Sequence, residues 1–104
     1  MRLPSEIRFI NEKLKASFQK LEYDNPLLFK MLNQAIGNIK ENAFCGINLP
    51  KRLIPIEYSV KNLWKYDLPK GWRLLYSITN EEIEVVSIIL EWLDHKNYER
   101  RFKY

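Results

Sequence analysis

Apolar residues recur at Ile7, Ile10, Leu14, Phe18 and Leu21, in steps of three and four. That spacing predicts one apolar stripe along an amphipathic helix, with Ser5 after Pro4 as its cap and Lys13, Lys15 and Lys20 off the stripe. Tyr23-Asp24-Asn25-Pro26 interrupts the pattern. Asn25 before Pro26 then reads as a new helix start, with the cap residue first and proline at the first helical position. A second stripe of Leu28, Leu32, Ala35, Ile36 and Ile39 runs to near Asn42. Two helices joined by so short a break predict an antiparallel hairpin. Gly37 inside the second helix costs about 1 kcal/mol of propensity, and a close helix crossing is the expected reason.

Residues 43–62 are punctuated by Pro50 and Pro55. Here a short strand is expected within 44–49, and a helical turn within 56–61. From Leu63 the period changes to two. Trp64, Tyr66 and Leu68 alternate with Leu63, Lys65 and Asp67; after Pro69-Lys70-Gly71, Trp72, Leu74, Tyr76 and Ile78 alternate with Arg73, Leu75 and Ser77. This predicts a β-hairpin pairing Asp67 with Arg73 and Lys65 with Leu75, with Trp64, Tyr66, Leu68, Trp72, Leu74 and Tyr76 on one packed face. A turn at residues 79–82 and a strand over 83–92, apolar on both sides, follow. The charged segment from 93 to 102 predicts a short terminal helix or turn. Helices first and an antiparallel meander afterwards give an α+β fold in two layers, one domain over residues 1–104. The helical hairpin should cover one sheet face and leave the other open.

Composition narrows the chemistry. The formal charge of +4 is shared between the two halves of the chain, +2 in each. Any basic patch must therefore be assembled by folding, and an anionic partner is only mildly favoured. Cys45 is the single cysteine and His95 the single histidine, which excludes an intramolecular disulfide and a structural zinc site, and suits a reducing cytoplasm. No apolar run reaches the length of a membrane span, and Met1-Arg2-Leu3-Pro4-Ser5-Glu6 has no signal-peptide character. Glycine-rich phosphate loops and metal-spaced ligand clusters are missing from the sequence. Cys45, between Phe44 and Gly46, reads as a packed thiol.

Two groups of side chains remain. On the mixed face of the hairpin, Arg73 lies across from Asp67 and diagonal to Lys65. One reading is an exposed cross-strand ion pair worth at most about 1 kcal/mol. The other makes Lys65 and Arg73 a phosphate-binding surface with Asp67 orienting the guanidinium. The second group is His95, followed by Lys96, Tyr98, Arg100 and Arg101. Imidazole suits proton transfer at neutral pH, and an aromatic ring can stack an unpaired base. A histidine near a helix start is more often simply a polar side chain in water, and composition alone does not choose between the readings.

The order of elements, together with Leu63-Trp64-Lys65-Tyr66-Asp67-Leu68, Gly71-Trp72-Arg73-Leu74-Leu75-Tyr76 and His95-Lys96-Asn97-Tyr98, resembles the RelE/ParE toxin superfamily. At motif level the similarity spans residues 63–98. The resemblance implies the toxin of a type II toxin–antitoxin system: a metal-independent, cofactor-free, ribosome-dependent endoribonuclease of the cytoplasm that cuts messenger RNA and inhibits translation. It implies a cognate antitoxin that masks the basic face in a hetero-oligomer, and no membrane partner. Arg73 then corresponds to the arginine that stabilises the cleaved phosphate, and Lys65 to a basic residue on the preceding strand. His95 becomes the acid or base, and Tyr98 the base-stacking or substrate-orienting tyrosine. Lys70, Lys96, Arg100 and Arg101 complete the expected RNA-binding surface. Two departures stand out. Many members open with a β-strand, whereas this chain reads as opening with a helix, so the sheet should lack an edge strand; and basic residues before Arg73 are sparse, with Asp67 partly cancelling them. The alternatives are a ParE-like toxin that inhibits a protein target such as DNA gyrase without cutting RNA, and a catalytically decayed RNA- or protein-binding module.

Overall fold

Asn11, not Ser5, caps the first helix: its side chain accepts from the Leu14 N–H at 2.8 Å. The residues before it form a strand. A computed structural model describes residues 2–81 and 84–102. In it β1 (Glu6–Phe9) is followed by the helices α1 (Glu12–Asp24) and α2 (Pro26–Glu41). The strands β2 (Ile47–Leu49), β3 (Leu63–Asp67), β4 (Arg73–Glu81) and β5 (Glu84–Leu93) come next, and α3 (His95–Phe102) closes the order. The sheet order is β1-β5-β4-β3-β2.

β1 corrects the expectation that the chain opens on a helix and that the sheet lacks this edge. It pairs parallel to β5, Ile7 opposite Ser87 and Phe9 opposite Ile89, so the sheet is mixed, not wholly antiparallel. Ile7 and Phe9, two apart, turn into the core, while Glu6 and Arg8 face outward. Arg8 binds Glu81 at 2.9 Å and Glu84 at 3.2 Å on that outer side. Ser5 is buried, its hydroxyl donating to the Ile39 carbonyl at 3.0 Å and meeting the Ser87 hydroxyl at 2.8 Å. A buried serine with these partners seats the strand between α2 and β5.

Asn25 both ends α1 and caps α2, accepting from the Leu28 N–H, with Pro26 at the first helical position. Leu28, Leu32, Ala35 and Ile39 of α2 are buried, whereas α1 only half-buries Leu14, Phe18 and Leu21. The helix pair therefore holds the sheet chiefly through α2. Gly37 is exposed and a Cβ there would touch nothing within 4 Å, so no close crossing accounts for it.

Across the sheet, Asp67 pairs with Arg73, Tyr66 with Leu74, Lys65 with Leu75 and Trp64 with Tyr76, as the alternation predicts. The turn between β3 and β4 holds Lys70 at φ 63° and Gly71 at φ 80°. Within 44–49 only Ile47–Leu49 is extended, preceded by a 3-10 turn at Ala43–Cys45; of the helical turn expected within 56–61 there is a single hydrogen-bonded turn at 56–57, the Tyr58 N–H donating to the Pro55 carbonyl at 3.1 Å, and it does not continue as a helix. β4 runs on through Glu81, where a turn was expected from residue 79; Glu82 and Ile83 of the expected turn and strand lie outside the described residues.

The largest difference concerns the second sheet face, which is not left open. Leu49, Leu63, Leu75 and Tyr98 form a second buried cluster there, with Ile54, Tyr58, Val60, Leu90, Leu93 and Phe102 around it. α3 and residues 54–60 cover this face because Tyr98 and Phe102, four apart on one helical side, need apolar partners. Among the described residues no helix is long and apolar enough to cross a membrane.

Candidate functional site

Where α3 meets the end of the β3–β4 hairpin, two cations share one aromatic floor. Lys65 Nζ lies 5.7 Å and the Arg73 guanidinium carbon 5.3 Å from the Tyr98 ring centre. Both distances fall within the range of cation–π attraction. Strand alternation puts Lys65, Asp67 and Arg73 on this face, and the Asp67–Arg73 register brings the carboxylate between the cations. Lys65 Nζ reaches the two Asp67 oxygens at 3.1 and 3.4 Å. Arg73 Nε lies 2.9 Å from the same Oδ1. The angle there is too poor for a hydrogen bond, and among the described residues the buried Nε–H has no acceptor. Arg73 Nη1 donates to the Trp72 carbonyl at 3.3 Å.

Burial separates the roles. The Lys65 and Arg73 side chains are each 18% exposed, while Asp67 is 47% exposed. Tyr98 is 2% exposed, so its ring has no face for a base to stack on. It is the floor of the cradle instead, stacked on Phe102 at 4.5 Å. Beside Lys65 and Asp67 a cleft of about 480 Å³ opens, walled by Arg2, Glu41, Cys45 and Ile47.

His95 opens α3 on the adjoining surface, well exposed, with Nε2 2.5 Å from Glu99 Oε1. Its Cβ packs against the hairpin turn, where a Cβ added to Gly71 would come within 2.9 Å of it. The turn thereby sets both the start of α3 and, two residues on, the start of β4 at Arg73. Lys70 is exposed on that turn, and Lys96 and Arg100 are exposed on α3. The structure thus gathers Lys65, Arg73 and Tyr98 and sets His95 and Lys70 against the same turn.

Arg101 is placed differently from the RNA-binding expectation. Its Nη1 binds Glu91 Oε2 at 2.7 Å and donates to the Tyr58 hydroxyl at 3.2 Å, and its guanidinium lies over the Tyr58 ring at 5.5 Å. Tyr58 donates to Glu91. Burial first, then the hydrogen bond to Glu91 and its charge, pushes the Tyr58 hydroxyl far above the usual phenol range. This latch ties α3 to β5 and to the covering segment. The sequence carried one sign of it: Glu91 is the only charged residue from Val85 to Leu93.

Cys45 is accessible at the surface, and partial burial of the thiol pushes its pKa up, opposite to what a nucleophile needs. No protein family matches the chain, and no curated protein or solved structure matches it.

Proposed function

We propose that this chain is the toxin of a type II toxin–antitoxin pair, acting as a RelE-like endoribonuclease on messenger RNA at the ribosome. The observation that carries the reading is the Lys65–Arg73 pair, largely withdrawn from water and held over Tyr98, on a hairpin whose turn packs against the exposed His95. Cleavage by attack of a ribose 2′-hydroxyl on the adjacent phosphorus forms a new O–P bond and breaks the bond to the 5′-oxygen, leaving a cyclic phosphate and a 5′-hydroxyl. Negative charge gathers on the non-bridging oxygens, and fixed cations in a poorly hydrated site stabilise that charge most effectively. Lys65 and Arg73 take this role. His95 moves the proton, with Glu99 engaging its imidazole at Nε2 and Nδ1 left as the nitrogen for exchange. Tyr98 holds the two cations in place.

The ParE-like alternative draws on the ion pairs themselves. Asp67 offsets the cradle and Glu99 engages His95, an arrangement that also suits a toxin gripping a protein target.

Induced expression followed by cleavage mapping on translated messages separates these readings. Cut transcripts and growth arrest, both lost in Arg73→Ala, are expected. Arrest with intact transcripts and stalled supercoiling refutes the nuclease reading and favours the alternative, while the absence of arrest favours a decayed module. Unchanged kinetics in His95→Ala removes its proton-transfer role.

A further inference from the structure

We infer that Asp67 is a built-in competitor for the cradle, a carboxylate standing where a phosphodiester of single-stranded RNA must enter. The inference takes its substrate class from the nuclease reading, but its geometry stands independently. A single oxygen, Asp67 Oδ1, lies 3.1 Å from Lys65 Nζ and 2.9 Å from Arg73 Nε. One anionic atom therefore bridges both cations, as a non-bridging phosphate oxygen does in a charge-assisted site.

The fit is incomplete on the arginine side. The Arg73 Nε–H is buried without a hydrogen-bond acceptor among the described residues, although a carboxylate oxygen is nearby. Asp67 is confined by its place opposite Arg73 in the ladder and approaches out of line. An oxyanion arriving from solvent is free of that restraint and can place an oxygen in the guanidinium plane, supplying the missing acceptor. Exposure matches an exchange of this kind. The two cations are fixed over Tyr98 and mostly buried, while the carboxylate is the solvent-facing member, at the last residue of β3 before the turn. The exchange we infer is a rotation of the Asp67 side chain alone, its backbone staying in the ladder, so the cations are organised before the ligand arrives.

Asp67 therefore sets a threshold. Isolated RNA competes poorly with a carboxylate held in place by the chain, and binding needs further contacts along the strand. Removing the charge while keeping the shape should lower that threshold.

The test measures binding of a short single-stranded RNA carrying a 2′-deoxy block at the scissile site, and separately of inorganic phosphate, to the full chain and to its Asp67→Asn and Asp67→Ser variants. Urea midpoints confirm that each variant is folded, and either variant suffices. RNA binding is expected to tighten about fivefold, the scale of one screened ion pair. The slope of log K against log salt is expected to steepen by about 0.7 for each cation freed. Adding Arg73→Ala to Asp67→Asn should cancel the gain. Unchanged or weaker RNA binding with an unchanged slope overturns the inference, and so does tightening for inorganic phosphate alone, which assigns the cradle to small oxyanions. The nuclease reading is judged separately. Tightened binding without message cleavage leaves Asp67 a competitor and removes the nuclease, whereas cleavage that depends on Arg73 without tightening does the reverse.

Discussion

Replacing Tyr76 by Phe tests how the sheet seats its short edge strand. Tyr76 is fully buried; its hydroxyl donates to the Ala43 carbonyl at 2.7 Å and accepts from the Gly46 N–H at 3.1 Å, and its ring stacks on Trp64. Phenylalanine keeps the ring and deletes both hydrogen bonds, leaving a buried carbonyl and an amide without their partner. Each such loss costs about 1–1.5 kcal/mol, so the variant should lose about 2–3 kcal/mol. For a domain of this size that lowers the melting temperature by about 10–20 °C. Urea titration at pH 7 should show a lower midpoint with an unchanged slope. A second arm uses pH. Burial, more than any other cause, pushes the Tyr76 hydroxyl far above the usual phenol range, against a lowering contribution from the Gly46 amide. The folded chain thus keeps this proton where the unfolded chain, titrating near pH 10, has lost it. The stabilisation is complete below about pH 10 and is lost as pH rises toward the folded value, by at most about 1.4 kcal/mol per pH unit and less where water screens the group. Tyr76→Phe should therefore decline less steeply above pH 10 than the parent. A variant within about 0.5 kcal/mol of the parent at pH 7, with a parallel alkaline decline, refutes the reasoning.

Two further substitutions probe the backbone. Gly71→Ala places a Cβ at φ 80° and 2.9 Å from the His95 Cβ; it should cost about 1–3 kcal/mol in urea titration and displace the start of α3, read as a shifted His95 resonance. Gly37→Ala meets no atom within 4 Å on an exposed helix face, and should raise stability by about 0.5–1 kcal/mol, seen as a higher melting temperature.

The β3–β4 hairpin was legible because local chemistry determines it. Pro69-Lys70-Gly71 supplies the turn, and strict alternation on either side leaves one register that buries Trp64, Leu74 and Tyr76 together. The cross-strand neighbours of Arg73 followed from that register. The start of α2 was equally legible, since Asn25-Pro26 carries both the cap and the first-turn residue. β1 was not. It has four residues, its partner lies some eighty positions away, and the steps from Ile7 to Ile10 to Leu14 imitate a helix stripe while Phe9, the residue that breaks it, points inward. The covering role of α3 was hidden for a related reason: Tyr98 and Phe102 sit among seven polar or charged neighbours, and only the apolar gap over Leu63 and Leu75 explains their burial. Glu91 was lost within an apolar strand, because its partners Tyr58 and Arg101 come from segments with no shared pattern.

The cradle over Tyr98 takes its side chains from two strands and a helix that follows the five strands of the described residues. β1, made early, must also wait for β5 before its backbone is paired. A nascent polypeptide therefore cannot assemble this cluster until α3 has left the exit tunnel, and pairings this distant are slow to form. The last helix made thus completes an arrangement that the earlier strands only prepare.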